Sequence, residues 1–372
     1  MFLAFGLGVG LWGGASGAIL ARAGVDAATF GIILTVYTAV YLVAMSSGGA
    51  LARRFGTRAT LGVSAVLLGA ALCALVNAST ALMVAAPMIV VGFLAGLVDV
   101  TMNAEGAGIE RAAGKPLLAR LHAAASAGMA IGAILGSVIV AGPAPWTAGV
   151  AAAAALAVAG VAYDRAARSE NRGPATPAAT RHGLAFTPAL IVLGVVIGLS
   201  IAAETAASLW SSLFLRAEAP SLAAVAGLGT AFFAACQATL RFNADLIRLR
   251  ISDRNIISVS FAIAAAGFML VGTHGAFALS VAGFALIGVG TGAIVPCGFA
   301  LAAAQTPREP ALGLSSASLF STATRLPAPF VTGVIAQSLS LPTAFGSFAA
   351  ALGLAAAGVG AMAWRNARAA RN

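Results

Sequence analysis

Runs of about twenty residues without an Asp, Glu, Lys or Arg recur along the whole chain, and the breaks between them hold most of the charge. Such runs are apolar on every face of a helix, as in Ala151 to Val161, and a lipid bilayer is the solvent that tolerates them. A transmembrane β-strand would instead alternate apolar and polar residues over about ten positions. At a rise of 1.5 Å per residue one spanning helix takes about 20 residues, so 372 residues hold about twelve with short connections. Only 9% of the residues are charged, against about 25% in a soluble domain. The expected fold is an all-α membrane protein, with no room for a sizeable domain outside the bilayer.

The breaks place six spans at 2–20, 27–50, 59–77, 81–104, 118–141 and 145–163, and six more at 188–214, 221–243, 255–272, 275–303, 312–337 and 342–363. Residues 165–185 are rich in proline and arginine and read as a linker between two halves, 1–164 and 186–372. Basic residues stay on the cytoplasmic side of a bilayer. Of the 21 here, Arg22 and Arg216 fall on the far side and Arg325 inside a span; all the others fall on one side. Both termini are then expected in the cytoplasm. The net charge of +10 is thereby a matter of topology, not of a nucleic-acid partner. The N-terminus lacks a basic leader region and reads as the first helix. Cys73, Cys236 and Cys297 lie in apolar runs without metal-ligand spacing, so neither a metal nor another cofactor is expected. A nucleotide-binding loop and a catalytic triad are also missing, which argues against an ATP-driven pump or an enzyme.

Sliding the chain on itself by about 196 residues superposes Gly92 and Gly96 of the fourth span on Gly288 and Gly292 of the tenth. The same shift brings Arg54 to Arg58 onto Arg250 to Arg254. Two parallel six-helix repeats are a layout of secondary transporters.

On these residues the chain resembles the major facilitator superfamily over its whole length. The family signature G-x-x-x-D-R-x-G-R-R is matched in part by Gly49-Ala-Leu-Ala-Arg53-Arg54-Phe-Gly56-Thr57-Arg58, with Arg53 in place of the aspartate and Thr57 in place of a basic residue. Arg241-Phe-Asn-Ala-Asp245-Leu-Ile-Arg248-Leu-Arg250 looks like its degenerate second copy. The resemblance implies a cytoplasmic gate made of Arg53, Arg54, Gly56, Arg58, Arg241, Asp245, Arg248 and Arg250. Asp99-Val-Thr-Met-Asn103-Ala-Glu105, Arg120-Leu-His122-Ala-Ala-Ala-Ser126-Ala-Gly128, Glu204 and Trp210-Ser211 are similar to a little-characterised bacterial inner-membrane branch, distantly like fucose-type sugar permeases. Leu209 stands where that branch often has an aspartate. Gly128, Gly132 and Gly136 resemble the antiporter motif of drug exporters, but Ser137 replaces its closing proline.

An ionisable side chain at membrane depth costs about 2.5–3.5 kcal/mol on insertion scales, so each needs a partner or a water-filled cavity. Asp99 and Asn103 share a helical face, as do His122 and Ser126. An Asp99–His122 contact is expected as a proton-titrating pair, with helix capping by these groups as the other reading. Glu204 and Arg325 are expected to pair, and three roles are open: proton coupling, a permanent ion pair, or capture of an anionic solute by Arg325. Trp12, Tyr37, Tyr41, Asn103, Trp210, Gln237 and Arg325 are candidates to line a solute cavity; for the aromatic residues, core or interfacial packing is the other reading. The expected function is proton-coupled, alternating-access transport of a small polar organic solute across the bacterial inner membrane by a monomer, with the solute, protons and the bilayer as partners. Export of a drug or metabolite and a non-transporting receptor or scaffold are the other readings.

Overall fold

The computed structural model describes residues 1–114, 117–169, 184–273 and 275–369. Most of the expected linker therefore lies outside the described residues, as does Lys115. Among these residues fifteen α-helices and one short 3-10 segment follow one another: α1 Phe2–Ala23, α2 Ala27–Phe55, α3 Thr57–Val76, α4 Ala81–Ala113, α5 Leu118–Val140, α6 Trp146–Ser169, α7 Pro188–Leu209, α8 Ser211–Glu218, α9 Leu228–Arg248, α10 Asp253–Gly272, α11 Phe277–Thr291, α12 Ile294–Ala304, α13 Pro310–Arg325, α14 Ala328–Ser338 and α15 Leu341–Ala369. The 3-10 segment, Pro220–Val225, precedes α9. Among the described residues, ten helical stretches are long and apolar enough to cross a membrane, α11 and α12 counting as one. The chain is thus a multi-pass helical membrane protein.

Helix boundaries follow local chemistry. Gly24 takes the left-handed conformation (φ 64°) that ends α1, and the Asp26 side chain then caps α2 by accepting from the Thr29 amide at 2.7 Å. Thr187 caps α7 with Pro188 in its first turn, where a missing amide costs nothing. Four expected spans are broken: the seventh at Trp210, between α7 and α8; the eighth at Ala226-Gly227, between the 3-10 segment and α9; the tenth at Gly292-Ala293; and the eleventh at Leu326-Pro327. Proline explains the last break, because its ring removes a backbone donor and crowds the preceding turn.

Small residues set the packing. Successive turns of α1 and α5 run side by side, Gly6, Gly10 and Gly14 lying on the backbones of Ala125, Met129 and Ala133. In return, Gly128, Gly132 and Gly136 of α5 lie on the carbonyls of Leu3, Leu7 and Leu11. The glycines that resemble an exporter motif are therefore the seam of this helix pair. In lipid, where apolar burial gives no net drive, such close approach is what holds helices together. Gly92 and Gly96 of α4 lie on the carbonyls of Tyr37 and Tyr41, and about 196 residues on, Gly288 lies on the carbonyl of Phe233 and Gly292 beside Leu240 and Gln237.

The first six helices meet the later ones tightly at the end of the bundle opposite the arginine-rich turns. There Ser16 donates to the Leu209 carbonyl at 3.0 Å, Ser212 to Gly14 at 2.7 Å and Ser137 to Ala224 at 2.8 Å. The Gly227 amide donates back to Ser137, and Gly31 of α2 meets Gly333 of α14. Phe30 is wedged between Trp12 and Trp210, 4.7 Å from the latter, ring centre to ring centre.

Candidate functional site

Below this seal lies a cavity of about 320 Å³. α1, α2, α4 and α5 line one side, with Phe5, Val9, Tyr37, Tyr41, Asp99, Met102, His122 and Ser126; α7, α9, α13 and α14 line the other, with Glu204, Leu209, Phe233, Gln237, Arg241, Arg325 and Pro329. Its wall is mainly apolar, and the polar groups fall into two sets.

On the first side, Asp99 accepts a hydrogen bond from the Tyr41 hydroxyl on one oxygen and from Asn103 Nδ2, at 2.8 Å, on the other. Asn103, one turn further along α4, also donates to the Asp99 carbonyl at 2.9 Å. The expected Asp99–His122 contact is not formed. The His122 ring instead meets Phe2 edge to face, with 5.4 Å between centres, and Tyr41 takes the place foreseen for the imidazole. Helix capping at the turn between α4 and α5 falls to Glu110, whose carboxylate accepts from the amides of Leu117 and Leu118 at 2.7 and 2.8 Å.

On the second side, Arg241 Nη2 donates to Glu204 Oε2 at 3.0 Å, and Nη1 to Ser126 Oγ at 3.2 Å. Ser126 donates in turn to Gln237 Oε1 at 3.2 Å, and Gln237, 1% exposed, reaches Thr291 at 3.4 Å. The partner of Glu204 is thus Arg241, not Arg325. Arg241 stands one turn past Gln237 on the same face of α9, which aims both into the cavity. Ser126 carries the network across from α5. Two atoms are left over: Glu204 Oε1 and Arg325 Nε are buried without a hydrogen-bond partner.

Tyr37, Tyr41, Gln237 and Arg325 line the cavity as expected, and Asn103 stands behind Asp99. Trp12 and Trp210 do not line it; each is buried in the seal against Phe30, where a large ring fills space between helices. The gate residues also differ from expectation. Arg58 pairs with Asp164 of α6 at 2.5 Å, and Arg248 pairs through two nitrogens with Asp253 of α10, at 2.8 and 3.1 Å. Arg54 lies over its neighbour Phe55, while Asp245 and Arg250 are exposed. Both pairs tie helices of the same group: a short turn brings Arg248 to Asp253, and the packing of α3 on α6 brings Arg58 to Asp164. Among the described residues, Arg120 of α5 crosses between the two helix groups at this end, over the Phe242 ring of α9 and 5.8 Å from its centre. Gly56, at φ 85°, makes the sharp turn from α2 into α3, a conformation that glycine adopts without strain.

No family model matches the chain. It is 27% identical over 356 residues to an uncharacterized MFS-type transporter of Yersinia pestis, covering 94% of this chain and 90% of that protein. It is 25% identical over 359 residues to an uncharacterized transporter of Sinorhizobium fredii, covering 94% and 93%. Among solved structures, a variant of the nucleoside transporter NupG superposes with a TM-score of 0.74 over 97% of this chain and 98% of that one, at 14% identity, a likeness of fold.

Proposed function

We propose that this chain, a membrane transporter of the major facilitator type, carries a small polar organic solute by alternating access and couples its movement to protons through Glu204. Residues 1–164 and 186–372 act as two six-helix halves, the broken helices counting as single spans, with α9 and the α13–α14 pair completing twelve. Both termini and the arginine-rich turns face the cytoplasm of a bacterial cell, and the bilayer is the inner membrane. In that orientation the sealed end is periplasmic, and the cavity belongs to a state sealed against the periplasm.

The observation that carries the coupling is the position of Arg241, held at once by Glu204 of its own half and Ser126 of the other. With Glu204 ionised, the guanidinium is fixed between the halves. A proton on Glu204 weakens the charge-assisted bond and frees Arg241, so protonation and the contact between halves are linked. The linkage needs no partner change elsewhere, since Asp99 already has Tyr41 and Asn103 as donors.

Proteoliposomes test this reading. Glu204→Gln, a permanent mimic of the protonated acid, is expected to exchange solute across the membrane yet fail to accumulate it under a pH gradient. Accumulation with wild-type dependence on the gradient would remove Glu204 from coupling. A purely structural ion pair predicts a different result: unstable Glu204→Gln and Arg241→Met proteins, with partial rescue in the double variant.

A further inference from the structure

Arg325 has no role in the network just described. Its Nε is buried without a partner, and among the described residues no ion pair or hydrogen bond engages its side chain. It is the last residue of α13, a helix end that favours a cation, but among the described residues no carbonyl accepts a hydrogen bond from its side chain. The backbone break at Leu326-Pro327 follows it immediately, and this break carries the end of α13 and Pro329 to the cavity wall. The acids that act on it electrostatically, Asp99 and Glu204, are committed elsewhere, the first to Tyr41 and Asn103 and the second to Arg241 through one oxygen. The cavity therefore has two open valences, a planar guanidinium fork and the acceptor Glu204 Oε1.

We infer that Arg325 is the docking point for a carboxylate, and that the solute is a small monocarboxylic acid with a hydrogen-bond donor placed to reach Glu204. This deepens the transport reading and rests on it for the word solute. A guanidinium with free parallel donors matches a carboxylate bidentately, which a hydroxyl or a cation does not. Charge balance limits the ligand to one negative charge. Asp99 and Glu204 offset Arg241 and Arg325, so a monoanion that enters with the proton taken up by Glu204 keeps the site neutral, whereas a dianion would leave a charge uncompensated at membrane depth. The cavity of about 320 Å³ is bounded by Tyr37 and Tyr41, whose rings lie 6.1 Å apart, and by an apolar wall, which suits a carbon frame that is short or flat.

The test is binding to the purified protein in lipid nanodiscs, using small acids paired with their primary amides: lactate with lactamide, alanine with alaninamide, and 4-hydroxybenzoate with 4-hydroxybenzamide. At least one acid is expected to bind, its amide at least about tenfold more weakly. Arg325→Gln should weaken that acid about 10- to 100-fold, and Arg325→Lys less. Without ligand, Arg325→Gln should unfold near the wild-type temperature, since it breaks no hydrogen bond and no ion pair. Equal binding of acids and amides, wild-type affinity in Arg325→Gln, loss of its ligand-free stability, or no binding by any acid would overturn the inference. Counterflow in vesicles separates the two readings. A neutral solute that is transported leaves transport standing without the carboxylate; an acid that binds but never crosses does the reverse.

Discussion

At the residue scale, the two acids of the cavity differ in how completely they are served. Asp99 has a donor on each oxygen, whereas Glu204 has one oxygen bonded and one open. A fully bonded buried carboxylate is a structural anchor, and removing a donor from it costs about 1.5–3 kcal/mol. Tyr41→Phe is therefore expected to lower stability by about 2 kcal/mol, read as a fall in unfolding temperature in detergent, while leaving pH-driven accumulation in place. Much of this site was legible from residue type alone. Any charged group in an apolar run must be paired or wetted, and that singled out Asp99, His122, Glu204 and Arg325. The pairings were not legible, because they depend on which faces of distant helices meet. Glu204 lies 37 residues from Arg241, and Ser126 lies 115 from it; only the packed bundle brings the three together. Arg241 left a local trace in its one-turn spacing from Gln237, and the offset of about 196 residues that aligns Tyr41 with Gln237 marks the same face.

At the scale of the element, boundaries were legible where a cap or a break is written in the chain. Asp26 after Gly24 is such a case. Backbone hydrogen bonding from Thr29 holds its carboxyl below the ordinary carboxylate range, so its capping contribution is present above the unfolded pKa and is lost as pH falls through the lowered folded value. Asp26→Ala is expected to cost about 1 kcal/mol near neutrality and progressively less toward pH 3, which thermal melts across pH would show. The Trp210 break carries no comparable mark, since its backbone departs only modestly from helical values (φ −102°) and tertiary contacts to Phe30 fix it. Glycine is equally ambiguous in a sequence, and position decides its meaning. A Cβ at Gly10 would fall on the Met129 backbone, whereas one at Gly62 of α3 would meet nothing within 4 Å. Gly10→Ala should destabilise by about 1–3 kcal/mol, and Gly62→Ala should stabilise by about 0.5–1 kcal/mol. Equal effects in unfolding assays would mean that the α1–α5 seam is looser than its backbone contacts imply.

For the whole molecule, hydropathy sets out a helical membrane bundle and the repeat sets out a layout of secondary transporters; neither reveals which end is closed. The narrower likeness to fucose-type permeases gains no support from the names of the relatives. Closure is a tertiary property, written here in Ser16, Ser137 and Ser212, small hydroxyls in apolar runs that sequence reading passes over as helix-packing residues. Their bonds to backbone across the seal are modest, each worth about 0.5–1.5 kcal/mol net, which suits the opening that the proposed cycle requires. Ser137 and Ala224 offer a way to hold it shut. Their hydrogen bond of 2.8 Å brings α5 against the turn before α9, so a covalent bridge between these positions would hold the two together. Ser137→Cys with Ala224→Cys is expected to transport normally when reduced, to stop when oxidised, and to recover with dithiothreitol. Ligand binding from the cavity side should survive oxidation, because the lock preserves the state in which the cavity is described. Full transport with the disulfide formed would mean that the halves do not need to part at this end, and alternating access by rocking would fail with it.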